Sequence, residues 1–130
     1  CTQISGGLSV KDLLLVHHSE EAFARVAETT RREMLAESVQ LTHQLHATGQ
    51  YVSASPLHPT STGARVQVRE GKAIVTDGPF AETREQTAGY FLVEARDLQE
   101  AVDIAARIPG ARIGTVEVRQ IREIDGLPEV

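Results

Sequence analysis

The chain has 130 residues, of which 41% are hydrophobic and 24% charged, the makeup of one globular domain and not of a disordered chain. Thirteen basic residues against 18 acidic ones leave a net charge of −5, which speaks against gripping phosphate backbones, and no apolar run approaches the roughly 18 residues that span a bilayer. Neither nucleic acid nor membrane is therefore expected as a partner, and a single Cys fits a reducing cytoplasm and excludes a Cys-based zinc site.

In chain order, residues 1–10 read as a flexible lead-in around Gly6-Gly7, residues 11–122 as the domain, and residues 123–130 as a C-terminal tail. The run Asp12–Val16 ends in His17-His18 and predicts a buried strand. Ser19 is a helix N-cap, with Glu20 and Glu21 in the first turn where the helix dipole favours anions. Phe23, Ala27, Thr30, Met34, Leu41 and Leu45 trace one apolar stripe up to Gly49. Thirty residues is long for one globular helix, so a break is expected near Thr29-Thr30. Tyr51–Ser55 reads as a strand, and 56–63 as a loop.

Ala64–Arg69 alternates cleanly, Glu70-Gly71 makes a two-residue turn, and Lys72–Thr76 returns as the partner strand. Asp77-Gly78-Pro79-Phe80 is a strong turn, and 81–88 is polar. Gly89–Ala95 is the clearest strand. Asp97 with Glu100 forms a capping box for a second helix, whose apolar stripe is Leu98, Ala101, Val102, Ala105 and Ile108, with Pro109-Gly110 ending it. Thr115–Ile121 is the last strand. The order strand-helix-strand, hairpin, strand-helix-strand predicts an α+β ferredoxin-like sandwich, an antiparallel sheet with two helices on one face. Apolar residues on both parities of 90–93 bury both faces of that sheet, which calls for a second subunit over the helix-free face.

Phosphate-cradling glycine loops, G-x-S-x-G and CxxC are all missing. Ser55, Ser61 and Thr62 are hydroxyls with no base assigned to them. His43 and His46 have the i,i+3 spacing of a metal pair, but His43 falls on the charged outer face of the helix, and His58 sits in a loop. No metal or cofactor site is expected. Of His17 and His18, neighbours in an extended chain, only one can face a pocket, and His17 is taken as the substrate-binding candidate. The segment 77–90 gathers Asp77, Glu82, Arg84, Glu85 and Tyr90 about a rigid turn. Asp77 either caps that turn or stands at a strand end above a cleft as acid or base.

The stretch V-T-D-G-P-F-A-E-T-R-E-Q-T-A-G-Y-F-L-V-E-A-R-D-L-Q-E-A at 75–101, with I-P-G-A-R-I-G-T-V-E-V-R at 108–119 and V-R-E-G-K at 68–72, closely resembles DGPF-domain proteins, a branch of the YCII-related group in the dimeric α/β-barrel superfamily. The likeness runs from about Lys11 to Ile121. It implies a ferredoxin-like fold, a cytoplasmic homodimer with sheets face to face forming a dimeric α/β barrel, and a frequent link with extracytoplasmic-function sigma factors. It implies no settled activity. Such proteins usually end the first strand in Tyr and Gly, where this chain has His17-His18, and close on E-V-R-P, where it has Gln120 last. YCII relatives proper carry a His on the long helix and an Asp after the second helix, proposed as an acid/base pair. Aligned through Gly49 and Pro109, those positions hold Ser38 and Ile108, so that pair is absent.

The resulting expectation is a small-molecule pocket between sheet and long helix. Asp77 is the expected acid/base group, His17, Glu82 and Tyr90 contact the ligand, and Phe80 walls the pocket. The chemistry would be cofactor-independent, isomerase- or lyase-like, on a small carbonyl or cyclic compound. The alternative is a non-catalytic regulatory or adaptor dimer, linked to a sigma factor, that docks through the charged helix face 21–43.

Overall fold

A computed structural model of the chain describes residues 9–78 and 84–128. The lead-in up to residue 8, Phe80, Glu82 and the last two residues of the tail lie outside the described residues. The elements are β1 (Val10–His18), α1 (Glu20–Ala24), α2 (Glu28–Ala47), β2 (Tyr51–Pro56), β3 (Ala64–Arg69), β4 (Lys72–Asp77), β5 (Gln86–Ala95), α3 (Leu98–Ala106) and β6 (Thr115–Gln120), with short 3-10 turns at Thr60–Thr62 and Pro109–Arg112. Four strands form an open sheet in the order β2-β5-β1-β6, every neighbouring pair antiparallel. β3 and β4 form a separate two-stranded sheet. The fold is α+β.

Alternation along β1 sends Asp12, Leu14, Val16 and His18 to one face, all buried. Phe91, Val93 and Ala95 of β5 lie beside them. Both α2 and α3 cover this face. Leu41 and Leu45 come from α2, Ile104 and Ala105 from α3, and Ile108 from the turn that follows. Each large side chain taken fully out of water there stabilises the fold by roughly 1.5–3 kcal/mol. The other face carries two cross-strand rows, Ser53–Leu92–Leu13–Arg119 and Ser55–Tyr90–Leu15–Glu117. Its leucines and Tyr90 are half-buried.

The two expected helices are three, because the first one is broken. Ser19 caps α1 as expected, its hydroxyl accepting from the Ala22 N–H at 3.1 Å. The helix then tightens, with the Arg25 and Val26 N–H groups bonding to Ala22 and Phe23 carbonyls, and Ala27 is extended (φ −58°, ψ 143°) before α2 begins at Glu28. The break thus precedes Thr29-Thr30, and it resets the helical phase. Ala27 and Thr30 are exposed, and the inward stripe of α2 is Arg31, Met34, Ser38, Leu41 and Leu45.

The stripe of α3 also differs from expectation. Leu98 and Val102 are exposed, and the helix beds on Ile104 and on Ala101 and Ala105, the two alanines being small enough to let it approach the sheet. Its cap is as read: Asp97 accepts from the Glu100 N–H at 2.9 Å, while Glu100 reaches back to the Arg96 N–H at 2.8 Å. Gln86 and Thr87, expected in a polar connection, join β5 because β1 runs on through His17 and His18 and pairs with them. Glu70 (φ 51°) and Gly71 (φ 76°) form the tight turn between β3 and β4, the left-handed pair that a two-residue hairpin requires.

Candidate functional site

α2 meets the sheet along only part of its length. Its C-terminal half is seated through the buried Leu41 and Leu45, whereas Arg31, Met34 and Ser38 further up are only half-buried. A cavity of about 320 Å³ fills the difference, floored by Val16, Phe91 and Ile108. Most of its wall is apolar. The ionisable side chains on the helix-facing side that line it are His18, Arg31 and Tyr51, and no carboxylate does so among the described residues.

His18 owes its place to strand alternation: as the last residue of β1 it shares the helix-facing side with Val16. Glycines let the chain close in around it. A Cβ at Gly114 would overlap the His17 carbonyl oxygen and come within 3.0 Å of both Cα and Cβ of His18. A Cβ at Gly110 would overlap Val16 in the same way. The His18 ring packs against Phe23 with centroids 4.5 Å apart. Its Nδ1 lies 3.4 Å from the Ser19 carbonyl oxygen. A carbonyl oxygen can only accept, so this contact favours the Nδ1–H tautomer, which leaves Nε2 as an acceptor.

One rim of the cavity is tied by a two-pronged ion pair. Arg112 donates to both Glu37 oxygens, at 3.0 and 2.9 Å, and so joins α2 to the turn that carries the lining residue Ile113. The Arg112 guanidinium, first by hydrogen bond, holds the Glu37 carboxyl below the usual carboxylate range. Away from the cavity, Asp12 is 2% exposed, and its Oδ2 has no hydrogen-bond partner among the described residues. Burial pushes its pKa up.

Among the described residues, the sequence-derived candidates His17, Asp77 and Tyr90 do not converge. His17 takes the opposite face from His18, where Nε2 lies 3.1 Å from Glu117 Oε1 and Nδ1 lies 3.1 Å from Thr87 Oγ1. Tyr90 borders the cavity at the β2–β5 edge, but its side chain lies on the helix-free face, the hydroxyl 3.0 Å from Ser53 Oγ. Asp77 stands at the end of β4, exposed, opposite Ala64, and is not part of the cavity wall. Nor does it cap its turn among the described residues: the Gly78 N–H goes to the Gly63 carbonyl and Arg65 Nε donates to the Gly78 carbonyl, both at 3.1 Å. Phe80 and Glu82 lie outside the described residues. His43 and His46 are exposed, and no three His, Cys, Asp or Glu side chains converge among the described residues.

Sequence reasoning passed over Arg31, Ser38 and Thr42, all of which line the cavity. Their signal was present, since polar residues within the inward stripe of an otherwise well-packed helix mark a face that does not touch the sheet. Ser38 and Ile108, where YCII relatives proper carry the proposed acid/base pair, both line this same cavity.

The sequence profile of the YCII-related domain matches residues 12–125. An uncharacterized protein of Rhizobium meliloti (strain 1021) is 42% identical over 67 residues, which cover 50% of this chain and 54% of that protein. The match therefore spans about half the length of that relative. No helix among the described residues is long and apolar enough to cross a membrane.

Proposed function

The chain belongs to the YCII-related domain family, and on that premise we propose that it binds a small carbonyl or cyclic metabolite in the cavity between the sheet and α2 and carries out cofactor-independent proton transfer on it. The observation that carries this reading is His18, a buried imidazole in the wall of a mostly apolar cavity. An imidazole takes up and gives back a proton near neutral pH. With Ser38 and Ile108 in place of the relatives' proposed pair, His18 is the group on that wall suited to such a task. Asp77 would contribute only from outside this wall.

The strand order β2-β5-β1-β6 supports a ferredoxin-like reading of the sheet. We further propose a cytoplasmic homodimer with the helix-free faces of two sheets apposed. Leu13, Leu15, Leu92 and Tyr90 provide an apolar centre there, and His17, Glu117 and Arg119 a polar rim, the anatomy of a protein interface. The regulatory alternative is favoured by a different observation, the exposed apolar side of the β3–β4 hairpin.

The test is thermal unfolding of wild type, His18→Gln and Asp77→Asn against small lactones, enones, muconates and aromatic acids. A ligand at a hundred times its Kd stabilises by about 2.7 kcal/mol, several degrees for a domain of this size. The expected result is a compound that shifts wild type and Asp77→Asn but not a normally folded His18→Gln. A shift lost only in Asp77→Asn would move the site to the hairpin. Absence of any shift would favour the adaptor reading.

A further inference from the structure

Arg31 is out of place for a residue on the inward stripe of a helix. Among the described residues, five arginines stand against glutamates: Arg25 with Glu21, Arg32 with Glu28, Arg96 with Glu100, Arg112 with Glu37 and Arg119 with Glu117, at 2.9–3.6 Å. Arg31 has no such partner among the described residues. Its Nη1 reaches the Ala24 carbonyl oxygen at 3.5 Å, the outer limit of a hydrogen bond, and its Cζ lies 5.8 Å from the centroid of the Phe23 ring. A guanidinium has five N–H donors in a planar fork, so most of its donor capacity is unspent. It is half-buried on a wall that carries no carboxylate among the described residues, and partial withdrawal from water without a counter-charge is unfavourable.

From this geometry we infer that the cavity is built for an organic carboxylate, with Arg31 as the anchor of its carboxyl group. The inference rests on reading the cavity as the ligand site, and it names the class of ligand. A carboxylate matches the guanidinium fork with two parallel charge-assisted hydrogen bonds. On a protein of net charge −5, an anion is drawn in only where a local cation outweighs the general field.

The rest of the ligand follows from the remaining wall. Phe23, Met34, Tyr51 and Phe91 call for a flat apolar body. A volume of about 320 Å³ is at the small end for ligand sites and suits a mono- or bicyclic acid. Phe23 neighbours both groups, its ring centroid 4.5 Å from that of His18 and 5.8 Å from Arg31 Cζ. A carboxylate held at Arg31 therefore lays the ring of such an acid along Phe23, toward the His18 imidazole.

The experiment measures binding of benzoate and cinnamate, each against its own amide, by calorimetry and by the ring-proton NMR shifts of His18 and Phe23. The amide keeps the shape and removes the charge. Wild type is expected to bind each acid at least tenfold more tightly than its amide, a preference that falls as salt is raised. In Arg31→Gln the preference should drop below twofold, and Arg31→Lys, which keeps the charge and loses the fork, should retain part of it. Unchanged amide NMR dispersion in both variants shows that the fold survives, and Arg31→Lys carries the test should Arg31→Gln not fold. Equal binding of acid and amide to wild type, or an acid preference that survives Arg31→Gln, overturns the inference and leaves the cavity as a ligand site. Binding of neither acid nor amide at millimolar concentration overturns both.

Discussion

The β1–β5 pair and the β3–β4 hairpin are both antiparallel strand pairs, yet the fold treats them in opposite ways. β1 and β5 pair directly and receive α2 and α3 on one face, so that Leu14, Val93 and Ala95 are wholly buried. In the hairpin, Val66 pairs with Val75 and Val68 with Ala73, which aligns the three valines on one side. That side is left open: Val66 is 64% exposed, Val68 62% and Val75 61%. No helix returns over it. An isolated two-stranded hairpin is marginal in water, and this one is held by its left-handed turn and its own ladder. The contrast teaches that strand formation is local, whereas burial is conferred by whichever element comes back across the strand.

The comparison breaks most readily in the core. Leu45→Ala empties a site that is 1% exposed, and chemical denaturation should show a loss of roughly 2–5 kcal/mol. Next comes Gly114→Ala, where the added methyl has nowhere to go beside the His17 carbonyl. The expected loss is roughly 1–3 kcal/mol, accompanied by a changed NMR environment for the His18 ring, which ties packing to the site. An unchanged His18 signal would show that Gly114 does not position it.

Asp12 sharpens the same contrast through pH. Burial raises its pKa in the folded state above the unfolded value, so the folded chain binds more protons between those two values. Stability is then greatest below the unfolded pKa, falls as pH rises through that window, and is level above it. Asp12→Asn should remove this fall: it should match wild type in acid and exceed it at neutral pH in urea titrations across pH. A wild-type curve without that fall would contradict the assignment. The smallest effect is expected in the hairpin, where Val66→Ser with Val75→Ser should change monomer stability by no more than about 0.5 kcal/mol. A larger loss that depends on protein concentration would mean that another chain covers this face.

Much of the fold was legible in the residues. Alternation in 64–76, the Glu70-Gly71 turn, the Ser19 and Asp97 caps and the strand around 89–95 are short-range effects of φ/ψ preference and side-chain spacing. The break between α1 and α2 was expected but misplaced, because it is made by the Arg25 and Val26 N–H groups bonding back to the Ala22 and Phe23 carbonyls, and has no Gly or Pro to mark it. The site was less legible. The stripe expected from the sequence included Thr30 and left out Arg31, whereas α2 leaves Thr30 exposed and brings Arg31 to the cavity.

Sequence by itself therefore determined the strands and the helix starts, the α+β class, and the family to which the chain belongs, since each depends on neighbours a few residues apart or on an extended motif. Only the tertiary structure decided that His18 and not His17 faces the cavity, that Arg31 joins it there, and that Asp77 stands apart. Those outcomes depend on which face of β1 receives α2, on how far α2 lifts from the sheet, and on where the hairpin is carried. These are contacts between residues distant in the chain, and no local pattern encodes them.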